Sequence, residues 1–107
     1  MTTVSEVTEI ACATDLFELV DNGSKRSTVR MGRRAYPLGP ARFSDGLGES
    51  RDLDVTQIRY CRFSTLTDVD AVRDGFGSLE ELRAVFERFY PGFADSDEVT
   101  VVHFDVA

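Results

Sequence analysis

The alternation of apolar and polar positions is clearest in the last third of the chain. Residues 99–106, VTVVHFDV, are β-branched and aromatic and predict a central strand. Before it, Leu82, Val85, Phe86 and Phe89 recur at helical spacing behind Ser78-Leu79-Glu80-Glu81, a capping-box signature, and Tyr90-Pro91-Gly92 supplies a stop. A helix over 78–90 that packs its apolar stripe on a sheet is therefore expected. Residues 67–73 predict a further capped helical turn, broken by Asp74-Gly75-Phe76-Gly77. Over 54–63, Ile58 and Tyr60 alternate with Arg59 while Cys61 and Phe63 face the other way. Apolar groups on both faces predict a long strand in a curved sheet or barrel.

Upstream, Leu16, Leu19 and Val20 predict a short helix over 15–21 with Thr14 as its cap and Asn22-Gly23 as its stop. Thr28-Val29-Arg30-Met31 reads as a strand, 36–40 as a Pro/Gly turn, 41–43 as a brief strand and 44–52 as a polar hairpin loop. Val7, Ile10, Ala11 and Ala13 fit either a short strand or a first helical turn, and residues 1–13 are expected to be partly disordered. About five strands with two or three short helices that do not alternate as βαβ units predict an α+β fold built on a small mixed barrel. A length of 107 residues with eight Phe and three Tyr suits a single domain, 1–107, with one compact core.

Charge changes the picture at one place. Lys25, Arg26, Arg30, Arg33, Arg34 and Arg42 lie between Asn22 and Ser44 with no carboxylate among them, leaving 6 basic against 19 acidic residues elsewhere, a balance of −13. A cationic segment on an acidic body suits an anionic or electron-rich ligand, although a solvated strand paired with surface carboxylates accounts for the same charges. The pI of about 4.6 argues against wrapping long duplex DNA, which takes many phosphate contacts. The opening residues lack a basic and an apolar signal region, and no apolar run approaches the ~20 residues of a membrane span, so a cytoplasmic location with no membrane partner is expected. Cys12 and Cys61 lack metal-ligand spacing and read as reduced thiols, a disulfide between them staying open. No P-loop, Rossmann, GxSxG or HExxH motif occurs, and no metal or other cofactor is expected.

Thr28 and Arg30, two apart on a strand, share a face. Lys25 joins them only if it sits in the preceding turn, which Gly23-Ser24 makes possible. An amine, a hydroxyl and a guanidinium around one pocket form a candidate nucleophile site, with a carboxylate to orient the amine. The plainer reading is a β-forming Thr28 beside a solvated Lys25. Arg33 and Arg34 suit phosphate or solvent. Tyr36 suits base stacking or packing over its turn. His103, the only histidine, reads as a structural group of a central strand.

Two runs together resemble a known family. Gly23, Lys25, Thr28 and Arg30 in G-x-K-x-x-T-x-R, followed by GRRAYPLG, and later D-G-F-x-S-L-E-E-L from Asp74 to Leu82, are similar to the ASCH domain, a relative of the PUA fold. The likeness spans roughly residues 14–106. It implies a small barrel with a cleft along the K-x-x-T-x-R segment that takes a nucleoside, a nucleotide or short single-stranded RNA. Some small bacterial members hydrolyse N4-acetylcytidine and related acylated nucleosides. For such an activity the resemblance implies a catalytic set of Lys25, Thr28 and Asp74; from the residues themselves, Arg30, Arg33, Arg34 and Tyr36 are the expected substrate or RNA contacts. Asp74 stands where those members carry glutamate, one methylene longer, and Gly77 lengthens the adjacent loop. The resemblance equally allows an RNA- or nucleotide-binding module without chemistry, or a ribonuclease-like protein.

Overall fold

The computed structural model describes residues 7–106. Its elements in order are β1 (Thr8–Ala11), a 3-10 turn (Thr14–Leu16), α1 (Phe17–Asp21), β2 (Ser27–Met31), β3 (Gly39–Ser44), β4 (Ser50–Arg62), a second 3-10 turn (Phe63–Thr65), α2 (Asp68–Arg73), α3 (Leu79–Phe89) and β5 (Glu98–Val106). Of the two readings open for the N-terminal stretch, the strand is the one that forms at Thr8–Ala11; the first six residues lie outside the described ones.

The five strands form one mixed sheet in the order β1-β3-β4-β5-β2. β1 runs parallel to β3, and every other pair is antiparallel. β1 and β2 are thus the free edges of the sheet. It curls until Arg30 Nη2 on β2 donates to the Ala11 carbonyl on β1 at 2.5 Å. The expected barrel is a half-barrel with an open seam, bridged by one guanidinium, and the class is α+β.

Alternation along β5 divides the core in two. Val102 and Phe104 face a cluster with Ile10, Phe17, Phe43 and Leu53. Val99 and Val101 face another with Phe63, Leu82 and Phe86 under α2 and α3. Burying Leu82 and Phe86 contributes about 1.5–3 kcal/mol each. β4 changes phase on the way. Leu53 and Val55 point into the first cluster, a bulge falls between Val55 and Gln57, and Ile58 then takes the inward position. That extra residue bends the strand and explains apolar groups on both of its faces.

Three local expectations are corrected. β4 starts at Ser50, because Ser50, Arg51 and Asp52 pair with Ser44, Phe43 and Arg42. Their polarity marks a solvated strand end, with Arg42 Nε donating to Asp52 at 3.0 Å across the ladder, and only residues 45–49 turn. Pro40 lies inside β3, where β1 has not yet begun to pair and the strand is still an edge. Thr14 does not cap α1: its hydroxyl donates to Asp45 at 2.8 Å, and the helix starts through the 3-10 turn. Cys12 and Cys61 are free thiols set against different clusters. Among the described residues no helix is long and apolar enough to cross a membrane.

Candidate functional site

The turn after α1 delivers Lys25. Gly23 adopts φ +83°, the Asn22 side chain accepts from the Ser24 N–H at 2.8 Å, and the Lys25 N–H donates to Leu19 O at 2.9 Å. Lys25 is therefore in the turn rather than on the strand, which allows it to share a pocket with Thr28. Its side chain is 2% exposed, and Nζ ion-pairs with the Asp74 carboxylate and lies 3.3 Å from the Asp74 carbonyl. Asp74 ends α2. The following Gly75 has φ +97°, and a Cβ there would meet Leu19 Cδ1 at 3.1 Å and Lys25 Cβ at 3.4 Å. That close approach lets the aspartate meet the lysine without glutamate's extra methylene.

On β2, Arg30 Nη1 donates to the Thr28 hydroxyl and, at 3.1 Å, to Val29 O, while Nη2 holds β1. Thr28 is 1% exposed. The two polar pairs, Lys25–Asp74 and Thr28–Arg30, line one cleft of about 680 Å³ at the open seam. Burial raises the Asp74 carboxyl above its ordinary 3.8, against the pull of Lys25, of Arg30 and of the Val29 backbone N–H. Cys12 lines the same cleft; burial pushes its thiol up, with Lys25 and Arg30 opposing.

Arg33, Arg34 and Tyr36 lie outside this cleft. Gly32 at φ +78° ends β2, and the Thr100 hydroxyl donates to Gly32 O at 2.7 Å while accepting from Arg34 N at 2.8 Å. This folds the chain toward β4, away from the seam. Arg33 then stacks over Tyr60, its guanidinium carbon 3.9 Å from the ring centroid, and reaches Glu98 at 3.5 Å. Tyr36 packs against the first core cluster. The expected basic cleft is consequently mixed in charge: Lys25 and Arg30 line it, and so do Asp74, Glu9 and Asp45. Sequence reasoning missed Cys12, both rim carboxylates and the apolar wall that α3 gives the cleft; the α3 stripe reads as core, and a helix stripe is not otherwise distinguished in sequence from a cleft wall.

Neither protein-family models nor curated proteins match the sequence. Solved structures match the fold. An ASCH domain from Lactobacillus crispatus JV V101 superposes with TM-score 0.74 at 17% identity over 92% of this chain and 79% of that one. Protein EF3133 from Enterococcus faecalis V583 gives 0.78 at 13% identity over 100% and 79%. Hypothetical protein PH0355 gives 0.71 at 18% over 95% and 100%. At these identities the likeness is one of fold: the chain has the fold of an ASCH domain.

Proposed function

We propose that this protein hydrolyses an N-acyl amide on a modified nucleoside such as N4-acetylcytidine. The observation that carries the reading is the buried Lys25–Asp74 pair beside Thr28 and Arg30 in one cleft. Thr28 is the nucleophile: its hydroxyl oxygen bonds to the acyl carbon as its proton passes to the Lys25 amine. Asp74, bonded to Lys25 Nζ, holds and orients that amine in the cleft that Thr28 also lines. Arg30, already donating to Thr28 Oγ1, stabilises the alkoxide and the oxyanion that forms beside it. The carbon–nitrogen bond then breaks, the exocyclic nitrogen takes the proton from Lys25, and water releases the acyl group as a carboxylic acid.

The test must separate chemistry from folding, since Lys25 is too buried for its removal to leave the fold untouched. Thr28→Val keeps the β-branched shape while deleting the nucleophile and the hydroxyl to which Arg30 Nη1 donates. Chromatography of N4-acetylcytidine digests is expected to show cytidine with the native protein and with Thr28→Ser, and none above background with Thr28→Val, whose cooperative unfolding shows it still folded although the lost Arg30 bond lowers its melting temperature. Full turnover by Thr28→Val would sink the assignment.

A second reading, RNA or nucleotide binding without chemistry, draws on one observation. The exposed Arg33 lies over the half-buried Tyr60 beside the exposed Arg34, and cations with an aromatic ring are the groups on which unpaired bases stack. Gel shifts with short single-stranded RNA at rising salt test it; no shift at low salt, where phosphate contacts are strongest, would end it.

A further inference from the structure

The seam is bordered by two strand edges, and an edge presents main-chain groups that no neighbouring strand takes. On β1 the parallel ladder fixes which groups those are, because the amides of successive residues point alternately to the two sides of a strand. Cys12 N–H donates to Ser44 O of β3 at 3.0 Å, so the amides of Ile10 and Cys12 face β3 and those of Glu9 and Ala11 face the seam. The Arg30 bond to Ala11 O, 2.5 Å across the seam, obeys the same alternation. Arg30 thus takes the Ala11 carbonyl, while among the described residues nothing accepts from the Ala11 N–H.

The N–H and C=O of one strand residue point the same way, so the free Ala11 N–H lies beside the guanidinium that holds its carbonyl. Arg30 reaches Thr28 Oγ1 and Val29 O with Nη1 and Ala11 O with Nη2. Nη2 carries two protons, and among the described residues the second has no acceptor. Two unspent donors, one from each edge, therefore flank a single hydrogen bond, with the Thr28 hydroxyl on the same guanidinium. Ala11 is exposed and lines the cleft, so a ligand can reach its amide. Glu9 N–H also faces the seam, but it lies about 6.6 Å further along the strand, away from the residue that Arg30 holds.

Resting on the hydrolase reading above, we propose that the Ala11 N–H and Arg30 together form the oxyanion hole, which makes a main-chain amide of the edge strand a catalytic group. As Thr28 Oγ1 bonds to the acyl carbon, the carbon–oxygen π pair moves onto the acyl oxygen, and both donors receive that charge. When the carbon–nitrogen bond breaks, the pair returns to the carbonyl and the nitrogen leaves with the proton from Lys25. A donor that meets its charge only in the transition state acts on kcat rather than on KM. Loss of one such donor costs about 10²–10³ in kcat, and a seam open to water sets the expectation at the lower end, roughly a hundredfold.

Ala11→Pro deletes the N–H and spares the ladder, because that amide faces away from β3 and such an edge tolerates proline. Ala13→Pro is the control: φ there is −66°, already that of proline, and its amide lies two residues further on. Two quantities are read in each: kcat and KM for N4-acetylcytidine, and calorimetric affinity for the N4-methylphosphonyl analogue, whose tetrahedral phosphorus bears an anionic oxygen. Ala11→Pro is expected to lower kcat and analogue affinity by roughly a hundredfold with KM nearly unchanged, and Ala13→Pro to leave all three near native. Unchanged kcat and analogue affinity in Ala11→Pro overturn the proposal and leave the hydrolase reading standing. Equal losses in both variants overturn it as well, since they report the strand and not the amide. Analogue affinity that depends on Ala11 alone, without turnover by the native protein, supports the donor pair and ends the hydrolase reading. Absence of both turnover and analogue binding ends both. If Ala11→Pro does not fold, an ester in place of the Ile10–Ala11 amide, built by ligation at Cys12, deletes the same N–H and is held to the same outcomes.

Discussion

Lys25 and Arg33 belong to the same run of cations, yet the fold treats them in opposite ways. Lys25 is 1% exposed and tied to a carboxylate 49 residues away. The Arg33 side chain is 63% exposed, and its partner Glu98 is 47% exposed. What separates them is backbone rather than charge. A left-handed glycine at position 23 and a 2.9 Å bond to Leu19 O turn Lys25 inward at the seam, whereas Gly32 and the Thr100 hydroxyl turn Arg33 toward β4. A cation held against a buried carboxylate can move protons; one stacked on a half-buried tyrosine at the surface can only attract.

The largest expected effect of breaking that contrast is Lys25→Met, which strands Asp74 in the core. Loss of one partner of a buried pair costs about 3–5 kcal/mol. The cost should depend on pH. Asp74 already titrates above 3.8 in the folded protein, and removing the opposing ammonium raises it further. A raised carboxyl favours folding below the ordinary carboxylate range and loses that contribution as pH climbs through the folded value. Urea unfolding at pH 4 and pH 7 should therefore show a deficit that grows toward neutrality. Equal deficits at both pH values would mean that Asp74 is not the group responsible.

Next in size is Arg30→Met. It removes the donor to Ala11 O, a side-chain bridge between the two edges of the seam, and frees the Thr28 hydroxyl. Bonds from a charged donor are worth about 1.5–3 kcal/mol each, less where solvent replaces them, and roughly 1–2 kcal/mol is expected in all. Amide exchange should detect it locally: β1 loses protection while β4 and β5 keep theirs. Uniform loss across the sheet would mean that Arg30 does not act as a seam clamp.

Local periodicity is enough to read α3, β2 and β5, because each carries its own apolar spacing and its own stop. It misplaces the start of β4, where three polar residues are paired strand and not loop, and it does not reveal that the sheet stays open between β1 and β2. Strand pairing is decided by partners far along the chain. The shared face of Thr28 and Arg30 follows from strand geometry alone. Asp74 opposite Lys25 does not: it follows from the family resemblance, since no local rule joins a helix end to a turn 49 residues earlier. Arg33, Arg34 and Tyr36 group with the site only by charge and proximity in sequence, which a single left-handed glycine is enough to undo.

The smallest effect expected is at Arg33 itself. Arg33→Ala deletes an ion pair between two largely exposed groups, worth little in water, together with a surface cation–π contact of about 0.5–1 kcal/mol. Stability should fall by less than about 1 kcal/mol, and the loss should shrink further at high salt. Turnover of an acylated nucleoside should be unaffected, because neither Arg33 nor Tyr60 lines the cleft. On the RNA-binding reading, affinity for single-stranded RNA should drop. A large loss of turnover in this variant would place the working surface on the β4 side of β2 and reverse the assignment of roles between the two halves of the cationic run.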